Sequence, residues 1–174
     1  IEAIGRATTA TSGDVEDLSK AGFALIDNLG ADPENLTRHL DAMALAGKRG
    51  GFELANMAQH FPRLTAQARA LKMEGIGATA ELAAALQIAL RGAGSPDEAA
   101  NNMANFMAKL TSPESVRRFT DFGIDLEAEM ASALEQGISP LEHMLGVIEE
   151  ATGGDEFKTG QLFGDMQVLN FLRP

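Results

Sequence analysis

The side chains best suited to chemistry at neutral pH are three histidines, His39, His60 and His143. None stands four residues from another, and no His-Glu-x-x-His run occurs. His143 follows Glu142, but a metal centre needs three or four converging ligands. All three are therefore read as surface or half-buried histidines. A nucleophilic serine needs a base and an orienting acid, and no Gly-x-Ser-x-Gly elbow is present. Ser95, Ser112 and Ser139 each precede proline, where a hydroxyl caps a helix and proline fills its first turn. Paired carboxylates hydrolyse glycosides when one of them stays protonated. The candidates are Glu149-Glu150, Asp155-Glu156 and Glu127 with Glu129. None stands in an apolar run that would raise its pKa, so all are read as solvated. Gly75-Ile76-Gly77 fails as a phosphate loop, because no Gly-Lys-Ser/Thr follows and no strand precedes it, and Gly50-Gly51 fails likewise. These glycines are read as helix stops or close approaches. No residue is assigned a catalytic, cofactor-binding or metal-ligating role, and no cofactor is expected.

Composition narrows the classes further. The 174 residues carry 25 acidic and 14 basic side chains, a net charge of -11. Nucleic-acid binding through clustered cations is disfavoured, and Lys48-Arg49 and Arg117-Arg118 are read as solvated pairs. There is no cysteine, so neither a disulfide framework nor a thiolate metal site is available. No run of about 18 apolar residues suggests a membrane span, and no signal peptide is recognised. With no Trp or Tyr and nine Phe, the core must come from Leu, Ile, Met, Ala and Phe. Abundant alanine with few β-branched residues favours helix. The first residue, Ile1, and the closing Arg173-Pro174 suggest a piece of a longer chain.

The elements that would position these side chains are helices throughout. Residues 1–13 are expected to be flexible or the remnant of an upstream helix, with residues 14–172 forming one helical domain. Val15, Leu18, Gly22, Leu25 and Leu29 fall on one face of a helix from Asp14 to Leu29, with Gly30 as its stop. Asp32-Pro33 opens a second helix that Gly47 ends. A third, with Leu54, Met57, Ala58 and Phe61, is interrupted by Pro62 and resumes at Leu64, Ala68 and Leu71, which predicts a kink or break. Gly75-Ile76-Gly77 is then a turn, with Thr79 capping a helix from Ala80 to Arg91. Ser95-Pro96-Asp97-Glu98 and Ser139-Pro140-Leu141-Glu142 have the capping-box pattern. Ser112-Pro113 starts a short helix that Phe122-Gly123-Ile124 ends, and Leu126 to Leu134 forms another. Gly153-Gly154 breaks the chain before a last helix from about Thr159 to Leu172. The expected fold is all-α, a single-domain orthogonal bundle of eight to nine short helices. Gly75, Gly77, Pro96, Pro113, Gly123, Phe163 and Gly164 are expected to determine the fold. Met43, Met57, Met103, Met107, Met130 and Met144 occupy face positions and are read as core, although such a face can also bind adaptably. The apolar faces are narrow and rich in small residues, so they either close on themselves or leave a groove for other subunits.

The order of short motifs resembles the conserved region of phage tail tape measure proteins, the long minor tail proteins of siphophages and prophages. The motifs are Leu54 to Pro62, Ala68 to Gly77, the alanine-leucine helix to Leu90, Met107 to Pro113, Phe122-Gly123-Ile124-Asp125 and Gln161-Leu162-Phe163-Gly164-Asp165. The resemblance covers residues 15–170. It implies a non-catalytic structural role in tail assembly and tail-length determination, in the virion tail and, during assembly, the bacterial cytoplasm. The implied partners are the tail tube, tail tip and tail assembly chaperones, with self-association possible in principle. A helical adaptor unrelated to tails and a small helical cell-wall hydrolase are the alternatives.

Overall fold

A computed structural model describes residues 2–174, and Ile1, part of the stretch expected to be flexible or an upstream-helix remnant, lies outside the described residues. Among the described residues there is no strand. The described residues form eleven α-helices and one 3-10 turn in succession: α1 (Glu2–Thr11), α2 (Val15–Leu29), the turn Pro33–Asn35, α3 (Leu36–Gly50), α4 (Leu54–Ala70), α5 (Gly75–Arg91), α6 (Pro96–Lys109), α7 (Pro113–Asp121), α8 (Leu126–Glu135), α9 (Pro140–Thr152), α10 (Glu156–Phe163) and α11 (Met166–Leu172). The all-α class is as expected; the count exceeds the eight to nine read from the pattern. No helix among the described residues is long and apolar enough to cross a membrane.

Most boundaries follow local chemistry. Asp14, Asp125, Asp155 and Asp165 accept bonds from the first backbone N–H groups of α2, α8, α10 and α11, which satisfies donors that have no partner within the helix. Pro96 and Pro113 open α6 and α7 behind Ser95 and Ser112. Gly123, at φ 80°, follows α7 as the Phe122-Gly123-Ile124 stop requires.

Six expectations are corrected. Gly47 lies within α3, which runs on to Gly50 with Gly51 as its cap. A Cβ on Gly47 would lie 2.7 Å from the Phe52 carbonyl oxygen, so this glycine permits a close approach and stops nothing. Asp32-Pro33 opens a 3-10 turn, and α3 begins only at Leu36. Of the expected kink or break at Pro62, the break does not occur: α4 continues from Leu54 to Ala70, its two halves sharing one buried face through Met57, Phe61, Leu64 and Ala68. Gly75-Ile76-Gly77 is no turn. Lys72-Met73-Glu74 makes the connection, with Lys72 at φ 59°, and α5 starts at Gly75. Thr79 is therefore a buried residue of that helix and not its cap. The last pattern splits in two, because Gly164, at φ 61°, ends α10 and Asp165 restarts the chain as α11.

The helices pack in pairs. α2 lies along α4, α3 along α5, and α6 contacts both α4 and α5. α1 lies over α2 and α3, and α11 runs against α6. Further along the chain, α8 and α9 pack principally on each other and join the rest through α7 and α10. Phe106 anchors the junction of α6, α10 and α11. Its ring stacks on Phe171 at 4.8 Å and meets Phe163 edge-on at 5.7 Å. Phe163 in turn meets Phe119 of α7 at 5.4 Å. Burying each such ring is worth roughly 1.5–3 kcal/mol, before about 0.5–1.5 kcal/mol for each aromatic pair.

Candidate functional site

The histidines flagged by the sequence do not meet. His39 is buried in α3, with Nδ1 2.7 Å from the Thr79 hydroxyl of α5. Burial, and secondarily the Arg38 charge, hold its pKa below the usual histidine value. His60 of α4 lies 3.0 Å from the Asp97 carboxylate of α6. His143 of α9 lies 2.7 Å from the Glu129 carboxylate of α8. Each ties two helices together. Among the described residues no three His, Cys, Asp or Glu side chains are grouped to hold a metal.

The serines cap as expected, with two revisions. Ser95 Oγ accepts from the Glu98 N–H at 3.1 Å, while the Glu98 carboxylate accepts from the Gly94 N–H at 2.9 Å, one residue before the expected partner. Ser139 Oγ accepts from Leu141 N–H at 3.2 Å and donates to the Glu81 carboxylate at 2.7 Å. The N-cap hydroxyl of α9 is thus tied to a distant helix, and it caps the Leu141 N–H in place of the Glu142 N–H that the capping-box pattern would give it. Half-buried between α5 and α9, Glu81 has its pKa raised, chiefly by desolvation and further by the Glu142 charge, against the lowering effect of the Ser139 hydrogen bond and the nearby Glu142 backbone. No local pattern signals this, because Glu81 sits in an alanine-rich helix and its partner lies far along the chain. The carboxylates that were considered for hydrolysis behave otherwise. Glu127, Glu149, Glu150 and Asp155 are exposed, Glu129 is engaged by His143, and Glu156 is held by Arg173 at 2.9 Å.

A second feature missed by sequence reasoning is Gln87 of α5. Its Oε1 accepts from the Phe52 N–H at 2.8 Å and its Nε2 donates to the Phe52 carbonyl at 3.0 Å. This side-chain amide satisfies both backbone groups of a fully buried residue in the α3–α4 link.

Of the expected fold-determining positions, Pro96 and Pro113 open helices, Phe163 is buried, and Gly75, Gly123 and Gly164 take positive φ. Gly77 lies exposed inside α5 with open space around its Cα hydrogen, so nothing in the structure requires glycine there. Met43, Met57, Met103, Met107 and Met144 are buried, whereas Met130 is half-buried.

The most exposed of the large apolar side chains, Val15, Phe23, Phe157 and Met166, lie towards the two ends of the chain. Phe23 of α2 is 67% exposed and Phe157 of α10 is 86% exposed. Val15, read as core from its helical spacing, is also exposed. It joins Phe23 in lining an open groove with Ile4, Gly22, Ile26, Pro33 and Leu36. The arrangement offers surfaces and inter-helix ties, and it leaves the buried Gln67 Oε1 and Asn102 Nδ2 without a hydrogen-bond partner among the described residues.

The profile of the family described as phage-related minor tail protein matches residues 1–166. The chain belongs to that family. This minor tail protein is also 31% identical over 157 residues to the probable tape measure protein of Burkholderia phage BcepMu, a match covering 88% of the chain and 19% of the relative. The chain thus spans about a fifth of the length of the curated relative it matches. No solved structure matches the minor tail protein.

Proposed function

We propose that this minor tail protein chain is a structural, non-catalytic part of a tape measure protein that acts in tail assembly and tail-length determination. The match to the probable tape measure protein across 88% of the chain carries the reading. In this view residues 14–172 form an orthogonally packed helical domain and residues 1–13 lead into it. The chain resides in the virion tail after assembly in the bacterial cytoplasm. Its partners are the tail tube, tail tip or tail assembly chaperones, or further copies of itself, met through exposed helix faces. The engagement of Glu81, Glu129 and Glu156 in ties between helices supports a structural over a hydrolytic role.

The reading is tested by deleting codons 14–172 in frame from the parent phage gene and imaging the lysate by negative-stain electron microscopy. Filled heads with missing or shortened tails are expected. Full-length tails on infectious particles would overturn the proposal.

A further inference from the structure

The groove beside Phe23 differs in kind from the other recesses of the molecule. The recess next to Glu81 includes Lys72, Glu74 and Glu142 in its lining, whereas the α1–α2 groove has no charged lining residue. Its volume is about 360 Å³. Its floor is set by Gly22, where a Cβ would come within 3.2 Å of Ile4 and 3.3 Å of Leu36. Phe23 rises along one edge, and Val15 and Ile26 mark its extent along α2. The eleven steps from Val15 to Ile26, at about 1.5 Å each, give a length of about 16 Å, three turns of a facing helix.

Three observations define the occupant. The walls are helices and a 3-10 turn whose backbone groups are bonded internally, so an extended peptide would find no sheet edge to pair with. The apolar positions Val15, Gly22, Phe23 and Ile26 follow helical spacing on a second face of α2, next to the buried face of Leu18, Leu25 and Leu29. The surroundings are acidic: Asp14 precedes Val15, and Asp32 and Glu34 bracket Pro33, all exposed. Lys20 is paired with Glu16 at 2.6 Å, and Arg6 and Arg38 are outnumbered by Glu2, Asp14, Asp17, Asp32 and Glu34 on the same stretches of chain.

We propose that this groove docks an amphipathic helix with bulky apolar side chains at i, i+3 or i+4 and i+7, flanked by lysine or arginine. Phe23 and Ile26 supply the apolar contact, and Asp14, Asp32 and Glu34 select the basic flanks. An anionic membrane surface is disfavoured by the same carboxylates. The inference rests on the tail-protein reading only for its biological setting, and its test uses the chain alone. Its failure would leave the tail-imaging result unaffected.

The probe is a synthetic 16-residue helical peptide with leucines on one face and lysines on the other, alongside the same peptide with every lysine replaced by glutamate. Binding is followed by fluorescence anisotropy in 50 mM and 300 mM salt. Saturable binding of the lysine peptide is expected, at least tenfold tighter than that of the glutamate peptide and weaker at high salt. Phe23→Ala, at an exposed position that preserves the fold, should weaken it at least tenfold, and Phe157→Ala on α10 should not. No saturable binding, equal binding of the two peptides, equal binding by Phe23→Ala, or preferential binding to phosphatidylglycerol vesicles would each overturn the proposal.

Discussion

The Ser139 hydroxyl donates to the Glu81 carboxylate at 2.7 Å across 58 residues of sequence, so the start of α9 is tied to a side chain of α5. The consequence is testable through pH. The folded-state pKa of Glu81 lies above its ordinary 4.5, so folding favours the protonated form. That contribution is complete below pH 4.5 and is lost as pH rises through the folded value. Glu81→Gln keeps an acceptor and removes the charge. Urea unfolding should therefore show Glu81→Gln gaining on the wild type as pH rises from 4.5 to 7. Glu81→Ala, which removes the acceptor of the Ser139 hydroxyl, should cost roughly 1–3 kcal/mol at any pH in that range.

His39 titrates in the opposite sense. Its folded pKa lies below 6.5 because burial disfavours the imidazolium, so the unfolded chain binds its proton more readily. Stability from this site is present above pH 6.5 and is lost as pH falls through the folded value. Thermal melts between pH 7.5 and 5 should show a decline that is reduced in His39→Leu.

Gln87 makes a prediction that needs no titration. Gln87→Ala leaves the N–H and carbonyl of buried Phe52 without partners and should destabilise the protein by about 2–4 kcal/mol. Gln87→Glu keeps the acceptor but loses the donor, and should fall between the wild type and the alanine variant in chemical denaturation at pH 7.

Pro62 lacks the N–H that the Ala58 carbonyl would receive in the middle of α4. Pro62→Ala restores that donor in a helix that is already continuous. It should stabilise the protein by about 1–3 kcal/mol in urea unfolding. A loss of stability would mean that the packing of Phe61 and Leu64 depends on the geometry imposed by the ring.

These sites show where sequence reasoning reached and where it stopped. Helix starts governed by one residue and its next few neighbours, such as Ser95-Pro96, Ser112-Pro113 and the cap at Asp14, were legible because capping is local. So was the stop at Gly123. The glycines misled because one residue type serves two purposes. Gly30 ends a helix through positive φ, whereas Gly47 makes room for the Phe52 backbone, and only the fold distinguishes them. Thr79 and Gln87 were invisible for a related reason, since their partners His39 and Phe52 lie on neighbouring helices. The groove was half legible. Narrow apolar faces left room for an unfilled surface, but helical spacing alone put Val15 on the core stripe of α2, and only the packing of α1 shows it exposed.

The packing of α8 and α9 chiefly on one another has a bearing on how the molecule breathes. A hairpin joined to its surroundings through α7, α10 and the Glu81–Ser139 bond is free to detach without melting α2, α4 and α5. Native-state hydrogen exchange should then find the α8 and α9 amides opening at lower free energy than those of α4, as a cooperative unit of their own. Glu81→Ala should speed exchange in that unit while the slowest amides of α2 and α4 follow only the smaller change in global stability.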